Sequence, residues 1–265
     1  MINIFNLFRR KRKVTLVLGG GSARGVAHIG VLKVLEREKI PIDNIVGTSM
    51  GALIGAGYST GVPINTIEEI AYNFSAGKLL DPTMPTMGLL AGDKLEAVIK
   101  EFVKIPTFDG CKIPLSVVTT DIETGEEVVY QKGDLAKVIR ASCSWPGIFN
   151  PVRLDGRLLV DGGIKNSVPI RIAKSQGADY IIAIDVGFCV KSVKIENIFQ
   201  MILQSFQITG EELNRYQSGE ADAVIKVELG DIDQAAFNRS RDAVAKGVEA
   251  AEAKISQIKK DLGIR

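Results

Sequence analysis

Histidine, tryptophan and cysteine are scarce in this chain of 265 residues: one His, one Trp, three Cys. The cysteines, Cys111, Cys143 and Cys189, are scattered without metal-ligand spacing. An odd, sparse count fits the reduced thiols of a cytoplasm and argues against a disulfide scaffold. No apolar run reaches the ~18 residues that a membrane span needs. An excess of positive charge is found in one place only. The net charge is +2, and Arg9, Arg10, Lys11, Arg12 and Lys13 hold five of the positive charges, so the rest of the chain is at about −3. A body without a basic signature argues against nucleic acid. No internal repeat, low-complexity segment or linker divides the sequence. With 46% hydrophobic residues it can bury a real core, and one domain, 14–265, is expected after a tail, 1–13.

The tail places Ile4, Phe5 and Phe8 before the basic run. A secretory signal has the opposite order, charge before apolar region. Two readings stand: a weak tether to the anionic inner face of a membrane, or a frayed, solvated tail. Either is consistent with a cytoplasmic protein.

Glycine is plentiful, and its placement organises the chain. Val14–Leu18 reads as a buried strand ending in Gly19-Gly20-Gly21-Ser22-Ala23-Arg24-Gly25, followed by an amphipathic helix over 26–38. Pro41 closes it. A second strand, 42–46, runs into Gly47-Thr48-Ser49-Met50-Gly51 and a further helix. This strand–helix alternation predicts an α/β fold with a parallel sheet. Downstream, helices are expected over 64–74, 93–103, 135–142, 199–216 and 238–262, and strands over 113–120, 127–130, 157–160, 179–186 and 223–229. The stretch 79–90 has no clear period and reads as an apolar loop near the site.

Strand, sharp turn and helix around Gly-x-Ser-x-Gly is the context of a nucleophile elbow. Ser49 would sit in strained backbone, and a Cβ at Gly47 or Gly51 would clash with the chain packed on either side. A nucleophilic serine needs a base and an oxyanion hole. The single histidine, His28, lies among apolar neighbours one turn into the first helix, where a packed histidine is the better reading. A carboxylate can serve instead. Asp161 ends a predicted strand before Gly162-Gly163, and strand C-termini of a parallel sheet share the edge that carries the elbow. The plainer alternative is a turn aspartate, as Asp155-Gly156 is expected to be. Asp185 is a rival base and Asp121 a weaker one. Gly19, Gly20 and Gly21 can turn their N–H groups into one concavity. Arg24 either holds that loop or faces an anionic head group. A phosphate cradle is the competing reading of the glycines, but the spacing is not Gly-x-Gly-x-x-Gly and no Gly-Lys-Ser/Thr is present.

Three ordered motifs, Gly19–Gly25, Gly47–Gly51 and Asp161-Gly162-Gly163, resemble those of the patatin-like phospholipase family. Ala27–Leu32, Ala141-Ser-Cys-Ser-Trp-Pro-Gly-Ile-Phe149 and Asn166-x-x-Pro169 resemble its bacterial members, and the likeness covers about 14–186. The resemblance implies a three-layer α/β/α fold with a mainly parallel central sheet, and a Ser–Asp dyad that hydrolyses lipid acyl esters without a metal or other cofactor. Carried over, Ser49 is the nucleophile and Asp161 the base. Gly20 and Gly21, with Gly19, supply the oxyanion N–H groups, while Gly47, Gly51 and Arg24 support them. Leu18 departs from the acid that plant members carry there. Apolar residues of 79–90 and of later helices are expected to line the acyl site. A nucleotide-binding module and a non-catalytic lipid-binding protein are the other function classes, and the role of the chain after about 190 is open.

Overall fold

The protein is described by a computed structural model over residues 12–84, 86–187, 195–196, 198–217 and 220–264. Ile4, Phe5, Phe8, the basic residues up to Lys11, and Cys189 lie outside the described residues.

The chain opens with β1 (Val14–Leu18), a 3-10 turn over Ser22–Val26, α1 (Ala27–Arg37), β2 (Asn44–Thr48), α2 (Met50–Ser59) and α3 (Ile64–Tyr72). An excursion holds β3 (Gly88–Leu90) and α4 (Asp93–Val103). Then come β4 (Leu115–Asp121), β5 (Glu127–Tyr130), α5 (Leu135–Ser142), β6 (Gly147–Phe149), β7 (Val152–Leu154) and β8 (Arg157–Asp161). The last part is α6 (Ile170–Ser175), β9 (Tyr180–Asp185), α7 (Ile198–Gln217), β10 (Ala223–Lys226) and α8 (Ser240–Leu262).

Every residue of β1, β2, β4 and β9 is buried. This is why these strands read as apolar runs without alternation: helices cover both faces. Leu16 and Leu18 join the large core with α1, α2 and α8, while Val17 and Ala183 join a smaller one with α6. The result is the expected three-layer arrangement around a mostly parallel sheet.

The sheet order is β10-β9-β1-β2-β4-β8-β7, with β5 also on β4. From β10 to β4 all pairings are parallel. Beyond that they reverse: β5 and β8 run antiparallel to β4, and β7 to β8. The expectation that Asp161 ends a parallel strand is therefore corrected. Val118 pairs with Thr48 of β2 on one edge of β4 and with Val129 of β5 on the other. Thr119, one residue on, pairs with Asp161 of β8 and Val128 of β5. Hence β2 and β8 occupy the same edge of β4 and meet end to end there. β4 overshoots β2, and β8 fills the overshoot from the opposite direction. The C-terminus of each strand points at the other.

The stretch 79–90 is more ordered than its lack of period implies. Three residues, Gly88–Leu90, pair in parallel with Gly147–Phe149 as a separate two-stranded sheet, too short a strand to carry an alternation. Met84 and Met87 within the stretch, and Ile198 and Met201 on α7, are exposed. Among the described residues no helix is long and apolar enough to cross a membrane.

Candidate active site

Ser49 stands between β2 and α2 with φ +53° and ψ −123°. A positive φ on a residue with a Cβ costs about 1–2 kcal/mol and persists only where the surroundings enforce it. Here they do. A Cβ on Gly47 would lie 2.7 Å from the backbone of Ala52, and one on Gly51 would run into the carbonyl of Leu18. Only glycines let the chain turn this tightly against β1.

The head-on meeting of β2 and β8 places the side chains of Ser49 and Asp161 together. Ser49 Oγ donates to Asp161 Oδ2 at 2.6 Å, across 112 residues of sequence. Asp161 is 2% exposed, and its other oxygen accepts the Gly163 N–H at 2.7 Å. Burial pushes the carboxyl up to about 6, while the bonds from Ser49 and Gly163 hold it back. Gly162 allows the close turn, because a Cβ there would strike the Val118 carbonyl.

The rival acids are engaged elsewhere. Asp185 Oδ1 accepts the Gly187 N–H, and Asp121 pairs with Arg157 at 3.1 Å. Asp155 and Gly156, both at positive φ, form the tight β7–β8 turn. His28 is wholly buried, with Nε2 2.7 Å from the Gly19 carbonyl. Desolvation lowers its pKa to about 4, so at neutral pH it is uncharged and Nε2 donates its hydrogen to that carbonyl. It latches the glycine loop and is not a base for Ser49.

The three loop glycines divide their work. Gly19 N–H donates to the Ile184 carbonyl at 3.1 Å, and Gly20 N–H to the Ser167 carbonyl at 2.9 Å. Gly21 N–H has no acceptor among the described residues. The expectation that all three N–H groups face the reaction is thus corrected for Gly19, whose donor extends the β1–β9 ladder, and for Gly20, whose donor is taken by the loop before α6. Gly20 leaves space: a Cβ there would stand 3.5 Å from both Ser49 Cβ and Ser167 Oγ. With two of three donors occupied, the loop is not a phosphate cradle. Arg24 is 5% exposed and donates to the carbonyls of Val186, Gly187 and Ile232. It holds the loop and does not face a head group.

Sequence reasoning gave no separate role to the residues from the last turn of α5 to β6. Ser142 Oγ accepts the Ser49 N–H at 2.8 Å, and the Ser144 carbonyl accepts the Asp161 N–H at 3.0 Å. The available signal was the Ala141–Phe149 motif itself. Cys143 lies beside the dyad, and desolvation and the Asp161 charge push its pKa up, so it is no competing thiolate. Among the described residues no three His, Cys, Asp or Glu side chains converge as metal ligands. A surface cleft of about 560 Å³ between Glu228 and Glu249 lies away from the dyad and pairs no nucleophile with a base.

A buried serine on an elbow, bonded to an aspartate and backed by a glycine loop, defines a serine–aspartate site on an α/β/α sheet. The chain belongs to the patatin-like phospholipase family, whose pattern matches residues 16–174. It is 36% identical over 181 residues to an uncharacterized NTE family protein of Mycobacterium tuberculosis, covering 66% of this chain and 49% of that protein. It is 37% identical over 182 residues to patatin-like phospholipase domain-containing protein 6 of Homo sapiens, covering 66% of this chain and 13% of that protein. The chain thus spans about half the length of the mycobacterial relative and a small part of the human one. Among solved structures, VipD from Legionella pneumophila superposes with a TM-score of 0.66 at 16% identity, over 95% of this chain and 67% of that one. The type III effector ExoU gives 0.53 at 14% identity, over 94% and 54%. At these identities the likeness is one of fold.

Proposed function

We propose that the protein is a serine acyl hydrolase that cleaves fatty acyl esters of lipids with the dyad Ser49–Asp161. The observation that carries this reading is the 2.6 Å bond between the two side chains at a buried, glycine-lined elbow. With a pKa of about 6, Asp161 is mostly ionised at pH 7 and basic enough to accept a proton. It takes the Ser49 proton as Oγ attacks the ester carbonyl. The Gly21 N–H and the N-terminus of α2 stabilise the oxyanion. Asp161 returns the proton to the leaving alcohol. It then takes a proton from water, which attacks the acyl-enzyme, and passes that proton to Ser49 Oγ as the fatty acid leaves, so both side chains end as they began.

Membership of a phospholipase family supports a lipid ester over a soluble one. So do the exposed apolar side chains near the site, Met84 at 81% and Ile198 at 67%, because such patches commonly mark lipid or partner contact. Strand β3, next to Met84 and Met87, pairs with the segment that follows Trp145, and Trp145 meets Phe206 of α7 with ring centroids 5.9 Å apart. Both apolar flanks therefore adjoin the segment that holds the dyad. A contact of residues 1–13 with anionic lipid, at the cytoplasmic face of a membrane, belongs to the same reading and rests on their sequence.

Fluorophosphonate labelling and hydrolysis of short- and long-chain esters test the proposal. The wild type is expected to label and turn over, Ser49→Ala to do neither, and Asp161→Asn to lose about 10⁴-fold in kcat. Folded wild type that binds liposomes but neither labels nor hydrolyses would instead be a lipid-binding protein on the same fold.

A further inference from the structure

The proposed chemistry uses Ser49 and Asp161 and leaves Arg140–Ser144 without a part. This short segment touches both. Ser142, wholly buried, accepts the Ser49 N–H and donates its own hydrogen to the Val118 carbonyl at 2.7 Å. That carbonyl belongs to the residue beside which β2 ends. Two residues later, the Ser144 carbonyl accepts the Asp161 N–H. The Ser144 hydroxyl donates to the Arg140 carbonyl at 2.8 Å and accepts from the Arg140 guanidinium at 3.2 Å. Arg140 is 5% exposed. Its remaining bonds go to the carbonyls of Ala91 and Gly92, and no carboxylate pairs with it among the described residues.

Each of these contacts answers a specific need. Beyond Thr48 the edge of β4 is taken by Asp161, so the Ser49 N–H cannot continue the β2–β4 ladder. A buried N–H must find an acceptor, and the hydroxyl of Ser142 is that acceptor. With its hydrogen directed to Val118, Ser142 has its lone pairs turned toward Ser49. Nucleophile and base arrive on opposed strands, yet both hang from the same short piece of chain. A displacement of that piece carries both together and preserves their separation.

We propose that Arg140–Ser144 is a positioning clamp for the dyad. Ser142 sets the backbone of the nucleophile, the Ser144 carbonyl sets that of the base, and Arg140 fixes the clamp to the Ala91–Gly92 turn. None of the three touches substrate; they act through Ser49 and Asp161. The inference rests on the hydrolase reading for its kinetic consequence but not for its structural one.

Two measurements on the full chain test it. In the first, fluorophosphonate titration counts active sites, and kcat is expressed per titrated site. Ser142→Ala is expected to lower kcat per site by about 10²-fold with KM within about twofold, since ångström-scale misplacement costs that much. Ser142→Thr, which restores a hydroxyl, is expected to recover most of the loss. In the second, amide hydrogen exchange is followed residue by residue. Ser142→Ala is expected to speed exchange at Ser49 by about tenfold or more, and Arg140→Lys to do so at Asp161, with Leu16 and Val46 unchanged. Normal kcat per site with fewer titratable sites would make the segment merely structural and overturn the clamp. A raised KM with intact kcat would make it a substrate contact and overturn it equally. If the wild type neither labels nor hydrolyses, the function proposal fails, and exchange alone decides the clamp: unaltered protection at Ser49 and Asp161 rejects it.

Discussion

The parallel and antiparallel sides of the sheet are built by different rules. From β10 to β4 the strands are parallel and joined through helices, and β1, β2, β4 and β9 are buried along their whole length. The strands β5, β7 and β8 pair antiparallel with their neighbours and use short turns, such as the one at Asp155 and Gly156. The parallel side supplies Ser49, the proposed nucleophile, and holds it in unfavourable backbone geometry. The antiparallel side supplies Asp161, the proposed base, in relaxed backbone, but buries its charge. Both halves of the dyad are thus held against a cost, steric in one case and electrostatic in the other. A substitution that adds bulk and a change of pH should therefore separate the two.

The largest effect is expected from added bulk where the halves meet. Gly162→Ala would drive a methyl group into the Val118 carbonyl and push Asp161 off Ser49. Ester hydrolysis should fall by about 10²-fold or more, with a clear drop in melting temperature. Gly51→Ala should be comparably damaging from the parallel side, by collision with the Leu18 carbonyl. An active Gly162→Ala enzyme would mean the halves are not tightly joined.

The charge cost is next. In the folded protein the Asp161 carboxyl is pushed up to about 6 from its ordinary 3.8. Between these values the native state holds a proton that the unfolded chain releases, so stability declines as pH rises through this window. Asp161→Asn removes that penalty. It should abolish activity yet stabilise the protein by about 1–3 kcal/mol at pH 8, a gain absent below about pH 4. Denaturant unfolding of both proteins at several pH values checks the sign. For activity the direction is reversed: only ionised Asp161 is a base, so kcat/KM should rise with pH through about 6. A flat profile from pH 5 to 8 would remove Asp161 from that role. The smallest effect belongs to the β7–β8 turn, far from the strain at the elbow. Asp155→Ala, at φ +51°, should cost about 1 kcal/mol in unfolding free energy and leave hydrolysis unchanged.

The legible part of this molecule was the parallel side. Val14–Leu18, the elbow and the helices over 93–103 and 135–142 are written in local apolar patterns and glycines that one sequence window contains. Asp161 was found for a reason that proved incomplete. Its residue type, strand end and following glycines were visible, but the direction of β8 was not, because strand direction depends on pairings between distant segments. Ser142 and Ser144 could not be read for a related cause. A hydroxyl or carbonyl that accepts one N–H leaves no periodicity and no charge pattern, only its place in the fold. The partition of Gly19, Gly20 and Gly21 was hidden similarly, since each N–H is claimed by a partner over 140 residues away in sequence or by none.

One feature at the far end of the chain bears on how such proteins are compared. The glycine loop and its turn are tied to the segment after β10: Ala23 N–H donates to the Gln234 carbonyl, and Arg24 to that of Ile232. The helix that follows the loop, α1, packs along α8. The family pattern matches residues 16–174, and these supports come from residues beyond 230. The glycine loop thus keeps its shape through residues outside the stretch that carries the motifs. Two relatives with the same three motifs can then differ in catalytic fitness through a tail that no motif search inspects.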